Sequence, residues 1–154
     1  MKQIQKVSVC GLGKLGACIA ATMAARGFEV LGVDIDPEKV RRVNDGLPPV
    51  EEPLLAETIV AGKGRLRATV DHREAVRTDV SFFIPPSPSL PDGSFSTEFL
   101  LRTMQPIATA VQKILCMKGK SFNVGEEEGL AFNTTRGSGS PLLTTIFCRI
   151  DQSP

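Results

Sequence analysis

The chain has 154 residues, with 18 lysines and arginines against 17 aspartates and glutamates, and a net charge of +1. That balance leaves no basic surplus for a nucleic-acid partner, and with aromatics at 5% and neither Tyr nor Trp there is no base-stacking platform. At 42% hydrophobic the chain is long enough for one domain with a core of its own.

Met1 to Lys6 is polar and a strand begins directly, so no signal peptide is expected. No apolar run approaches the roughly 18 residues of a membrane span, so no membrane partner is expected either. Four cysteines, Cys10, Cys18, Cys116 and Cys148, form no C-x-x-C pair. Cys10 and Cys18 fall in apolar contexts and read as buried free thiols, which fits a reducing, cytoplasmic setting.

Val7 to Cys10 is apolar or small throughout, the pattern of a fully buried parallel strand. Gly11-Leu12-Gly13-Lys14-Leu15-Gly16 follows, a G-x-G-x-x-G run, and it opens an alanine-rich helical pattern that reaches Arg26 and stops at Gly27. Leu15, Ile19 and Met23 mark the expected buried face of that helix, with Ala17, Ala20, Ala21 and Ala24 allowing close approach to a sheet. A second apolar run, Phe28 to Val33, ends in Asp34. The order is strand, glycine turn, helix, strand, acid. A glycine-rich turn that binds nothing can carry the same three glycines; the flanking strands and the acid in register select a dinucleotide site.

Each residue then has a job. Gly11 allows the tight turn out of the strand, Gly13 lets a pyrophosphate approach the backbone, and Gly16 lets helix and strand pack closely. Free N–H groups at the helix start, through Lys14 and Leu15, attract the phosphates. Asp34, 18 residues beyond Gly16, can accept hydrogen bonds from ribose hydroxyls and favours NAD over NADP, because a 2′-phosphate meets a like charge.

Asp36 is the expected N-cap of a second helix, with Pro37 at its first position and Gly46 past its end. Ile35 and Lys39 flank Asp34, and Lys39 is placed to touch ribose or phosphate. Arg41 and Arg42 read as a solvated face. Leu47 to Pro53 is an extended connection, and Leu54 to Ala61 a short helix with Leu54, Leu55 and Ile59 inward. Leu66 to Val70 reads as a strand, Asp71 caps a helical turn through Val76, and Val80 to Ile84 is a further buried strand. The single histidine, His72, reads as a surface residue. Pro85 to Gly93 holds four prolines, which cannot serve a ladder; a stiff loop at the carboxyl end of a strand lies where open α/β sheets bind ligands. Ser96 caps a long helix from Thr97 to Met117 that Pro106 should kink or split. Lys120 to Val124 begins another strand. From Gly125 the character changes, with Glu126-Glu127-Glu128 followed by a polar, glycine-rich stretch and a β-favouring run from Leu142 to Ile150.

These elements predict an α/β fold: a Rossmann-type, doubly wound, mainly parallel sheet with helices on both faces. Residues 1–124 form the predicted NAD-binding domain. Residues 125–154 form a divergent tail expected to add one strand.

Residues 5 to about 124 resemble the N-terminal domain of the UDP-glucose/GDP-mannose dehydrogenase family. The resemblance rests on Val9 to Gly16, on Gly32 to Val40, on Glu51-Glu52-Pro53, on Gly64 to Thr69 and on Pro86 to Ser94. It implies NAD on Gly11, Leu12, Gly13, Lys14, Leu15, Gly16 and Asp34, with Pro86 and Ser87 beside the cofactor. The family usually has a threonine at the position of Ser87, and serine keeps the hydroxyl. The family reaction is a double NAD-dependent oxidation of a nucleotide-sugar, alcohol to acid, through a cysteine thioester. Its central helix and second Rossmann domain have no counterpart in this chain, and none of the four cysteines matches the catalytic motif. The chain is therefore expected to bind NAD and to be catalytically incomplete alone, with bare apolar surface that favours a homodimer. The alternative is a free-standing dinucleotide-binding or interaction module without catalysis. The hydroxy-acid and 6-phosphogluconate dehydrogenases begin similarly, but the Pro86 to Gly93 loop fits the nucleotide-sugar family better.

Overall fold

The computed structural model describes residues 4–86, 88–92, 96–117, 130–135 and 143–149. Six strands form one sheet in the order β3-β2-β1-β4-β6-β5. β1 (Lys6–Cys10), β2 (Glu29–Val33), β3 (Leu66–Thr69) and β4 (Val80–Phe83) run parallel. β5 (Leu130–Thr135) and β6 (Leu143–Arg149) form an antiparallel pair, and β6 lies antiparallel to β4, with Val80 opposite Arg149 and Ser81 opposite Cys148. The run from Leu142 to Ile150 thus contains a sheet strand, whereas β5 carried no expectation. Lys120 to Val124 lies outside the described residues.

Alternation along the central strands divides the core between two faces. On one, Val9 and Val30 meet Ala20 and Ala24 of α1 (Lys14–Ala25) and Val43 of α2 (Pro37–Asn44). On the other, Cys10, Leu31, Val33 and Phe83 meet Ala75 and Val76 of a 3-10 turn (His72–Arg77) and Ile107 of a helix. Helices on both faces of a parallel core make this the doubly wound α/β fold that the pattern predicts.

α1 corrects one expectation. Leu15 is 41% exposed, and the fully buried positions are Gly16, Ala17, Ala20, Ala21 and Ala24. Small residues bring the helix close to the sheet and to α3 (Leu55–Ala61), and Leu15 projects past that contact. Ile19 and Met23 pack at its border. Cys10 is a buried thiol as expected, but Cys18 is only half-buried.

α2 starts as its sequence dictates: the Asp36 carboxylate accepts from the Glu38 N–H at 2.9 Å, and Pro37 occupies the first turn. Its last residue, Asn44, fastens the edge strand β3. The Asn44 amide donates to the Ala68 carbonyl at 3.1 Å and accepts from the Ala68 N–H at 2.8 Å, the two bonds a further strand would make. Leu54 reverses its predicted place. It is the residue before α3, sits at φ +62° and is 73% exposed, so Leu55 and Ile59 alone turn inward. α4 (Glu98–Met117) begins where Ser96 accepts from the Glu98 N–H at 3.3 Å, and it runs on through Pro106 as one helix. His72 opens the 3-10 turn half-buried.

Buried polar groups in the strands are satisfied locally. Ser8 and Ser81 face each other across β1 and β4 with their hydroxyls at 2.6 Å, and Thr78 donates onward to the Ala75 carbonyl at 2.7 Å. No buried side-chain nitrogen or oxygen among the described residues lacks a partner.

Candidate cofactor site

β1 is followed by β2 on one side and adjoined by β4 on the other. The chain therefore changes direction at the carboxyl end of β1, where open α/β sheets leave a crevice for ligands. The glycine turn lies at that end of β1, between the strand and the helix that follows it.

Gly11 has φ +102°, a backbone region L side chains avoid, and its N–H donates to the Val33 carbonyl at 2.7 Å. A Cβ there would strike the Ile84 carbonyl, where the chain leaves β4 toward Pro85. At Gly16 a Cβ would strike the Gly11 carbonyl itself. These two glycines let turn, helix and strand interlock. Gly13 differs: a Cβ there would meet nothing within 4 Å. Its lack of a side chain serves no internal packing and leaves open space over the backbone. It is also the residue before α1, with no side-chain cap on the first turn. The leading N–H groups of that helix are thus available to an anion.

Asp34 closes the other side. It is 7% exposed, and its carboxylate accepts from the Leu12 N–H at 2.6 Å and from the Asp36 N–H at 3.0 Å. Lys39 approaches it at 3.7 Å from the first turns of α2. Leu12 is buried under Gly32, while Ile35 is 78% exposed beside the acid. Arg41 is committed to Glu38 and Asp45, and Arg42 donates to the Pro48 carbonyl at 2.8 Å. Neither arginine is turned to the acid; Arg41 is exposed, as the solvated reading expects, whereas Arg42 is half-buried against that carbonyl.

The structure therefore brings Gly11 through Gly16, Asp34, Ile35 and Lys39 together at the carboxyl ends of β1 and β2. Pro86 is exposed in the loop that follows β4. Ser87 lies outside the described residues. Sequence reasoning gave no role to Glu52, which reaches Lys14 at 3.2 Å. The Cys18 thiol one turn on is pushed up, first by burial and then by the Glu52 charge. A spacing of 38 residues between Lys14 and Glu52 offers no cue; only the fold joins them.

The donor set fits a dinucleotide: open backbone over Gly13, helix N–H groups for a diphosphate, a carboxylate just past the end of β2 for a ribose, and an apolar side chain beside it. Comparison with known proteins decides the class, since residues 5–125 match the UDP-glucose/GDP-mannose dehydrogenase family, NAD binding domain. The chain belongs to this family. The matched residues correspond to that family's NAD-binding domain.

Among curated relatives, a UDP-glucose 6-dehydrogenase of Haloferax volcanii is 39% identical over 131 residues, covering 84% of this chain and 30% of the relative. A GDP-mannose 6-dehydrogenase of Pseudomonas syringae is 40% identical over 98 residues, covering 62% and 22%. Among solved structures, a UDP-glucose dehydrogenase from Pyrobaculum islandicum superposes with a TM-score of 0.67 at 31% identity, covering 72% of this chain and 26% of that one. A GDP-mannose dehydrogenase from Pseudomonas aeruginosa does so with a TM-score of 0.65 at 34% identity, covering 70% and 25%. The chain spans less than a third of the length of these relatives. Among the described residues no helix is long and apolar enough to cross a membrane, and no group of three His, Cys, Asp or Glu side chains could hold a metal ion.

Proposed function

We propose that this chain serves as the NAD-holding part of a nucleotide-sugar 6-dehydrogenase, with the crevice between the glycine turn and Asp34 as its cofactor site. The observation that carries the proposal is Gly13: a glycine with open space where a side chain would stand, at an uncapped helix start. The backbone of Gly11, Leu12, Gly13, Lys14, Leu15 and Gly16 would take the diphosphate. Asp34 would accept the adenosine ribose hydroxyls, Lys39 would add a positive charge near them, and exposed Ile35 would support the adenine. Pro86 and Ser87 would border the nicotinamide side. The chemistry such a cofactor supplies is hydride acceptance.

In this reading the chain's own residues bind and orient; among the described residues, no side chain beside the glycine turn and Asp34 serves as a nucleophile. Cys10, the cysteine next to the turn, is wholly buried and its thiol is pushed up to about 12 by burial, so it is not the thiolate of an aldehyde-oxidising step. Oxidation of a UDP- or GDP-sugar from alcohol to acid would therefore draw its catalytic groups from elsewhere in the enzyme. A homodimer and a cytoplasmic setting belong to the same reading.

Gly13→Val tests it. The added side chain enters open space and leaves the fold intact, so the melting temperature should stay within a few degrees while NAD binding weakens by about a hundredfold or more. Unchanged NAD affinity in a folded Gly13→Val chain would refute the site.

A further inference from the structure

The opposite end of the parallel sheet carries a second concave surface. Its trench holds about 570 Å³ and is lined by the N-terminal ends of β1, β2 and β3 and by the flank of the 3-10 turn. It exists because the connection from β3 to β4 passes over two strands with only a six-residue turn. Ala75 and Val76 of that turn cover the upper sheet face, and the lower part is left open.

Charge in the trench is one-sided. Lys6, Lys63, Arg65, Arg67 and Arg77 line it against Glu29 and Glu74, a surplus of three positive charges. The whole chain has a net charge of only +1, so the rest of the molecule is net negative. Both carboxylates are already engaged: Glu29 lies 3.5 Å from Lys6, and Glu74 lies 3.0 Å from Arg67 while accepting from the Thr69 hydroxyl at 2.7 Å. Arg65 donates to the Gly27 carbonyl at 3.1 Å, which positions its guanidinium without neutralising it. Lys63 and Arg77 have no ion-pair partner among the described residues. The trench floor includes Val30, Leu31 and Leu66, low-dielectric walls that focus the field of the surrounding cations.

We propose that this trench is a second anion site, distinct from the cofactor crevice, for a ligand bearing a diphosphate. A single carboxylate would offset one of the three surplus charges, whereas a diphosphate carries two to three and offers planar oxygen pairs to the arginine forks. The site would sit at the amino ends of the strands, with the glycine turn at their carboxyl ends, so both could be filled at once.

Amide chemical shifts recorded during titration with inorganic pyrophosphate test the proposal, with UDP as a nucleotide arm that lacks adenine. The expected result is shifts at Gly64, Arg65, Arg77 and Thr78 that persist when NAD is present in excess. A Lys63→Ala, Arg77→Ala double variant, altered only at exposed positions, should bind at least about tenfold more weakly and keep its NAD affinity. Tighter binding of UDP would mark the ligand as a nucleotide, and equal binding would mark it as free polyphosphate; either supports the site. Shifts confined to Gly11 through Leu15, or pyrophosphate affinity unchanged in the double variant, would overturn it.

Discussion

The Leu12 N–H donates to the Asp34 carboxylate at 2.6 Å, in the buried space between the glycine turn and the end of β2. The acid that would grip the ribose also fastens the turn that would hold the diphosphate. Substituting Asp34→Ala leaves a buried N–H without its acceptor, which costs about 1–3 kcal/mol. Urea denaturation should show that loss, with a smaller one for Asp34→Asn, whose amide oxygen still accepts. Full stability in Asp34→Ala would mean the bond contributes nothing to the turn.

The glycines separate by what they touch. Gly16→Ala places a methyl group on the Gly11 carbonyl, a backbone clash that should cost about 3 kcal/mol or more. Gly13→Ala meets nothing within 4 Å and should cost less than about 1 kcal/mol. Thermal melts of the two variants side by side check the contrast, and equal losses would contradict it.

Leu54 holds a left-handed backbone, φ +62°, with its side chain 73% exposed. A non-glycine residue there carries a strain of about 1–2 kcal/mol and gains little from burial. Leu54→Gly removes the strain and adds about 0.5–1 kcal/mol of unfolded-state freedom. The net should be a gain below about 1 kcal/mol, a rise of roughly 2 °C in Tm. A fall in Tm would show that Leu54 is not strained.

That residue also marks where reading the sequence stops. β1, α1, β2 and α2 are legible to within a residue or two, because their signals are local: an apolar run, a glycine turn, an Asp-Pro helix start. The glycine turn and Asp34 are legible for the same reason. Leu54 is not, because an apolar residue before a helix has the pattern of an inward one until the chain's entry angle is known. Leu15 fails similarly, since α1 packs through alanines and its larger side chain overhangs the contact. Glu52 meeting Lys14, and the basic trench, depend on segments distant in sequence that only the sheet order brings together. β5 lies in a stretch whose polar, glycine-rich surroundings hid it.

Cys10 has a sharp alkaline consequence. Burial pushes its thiol from 9.0 to about 12. The folded chain therefore keeps a proton that the unfolded chain releases above pH 9. Stability is unaffected by this group below pH 9 and falls as the pH rises from there toward 12. Cys10→Ala should remove that part of the slope. Alkylation at pH 8 with residue-level mass spectrometry should label half-buried Cys18 well before Cys10; rapid labelling of Cys10 in the folded chain would contradict its burial.

The most direct measurement of the central claim is calorimetric titration of the purified chain with NAD and with NADP, repeated on Asp34→Asn after circular dichroism shows that variant folded. NAD should bind, NADP should bind at least about tenfold more weakly, and Asp34→Asn should both weaken NAD and narrow the gap, because the like charge facing a 2′-phosphate is gone. Equal affinity for the two cofactors, or no NAD binding at millimolar concentration by a folded chain, would contradict it.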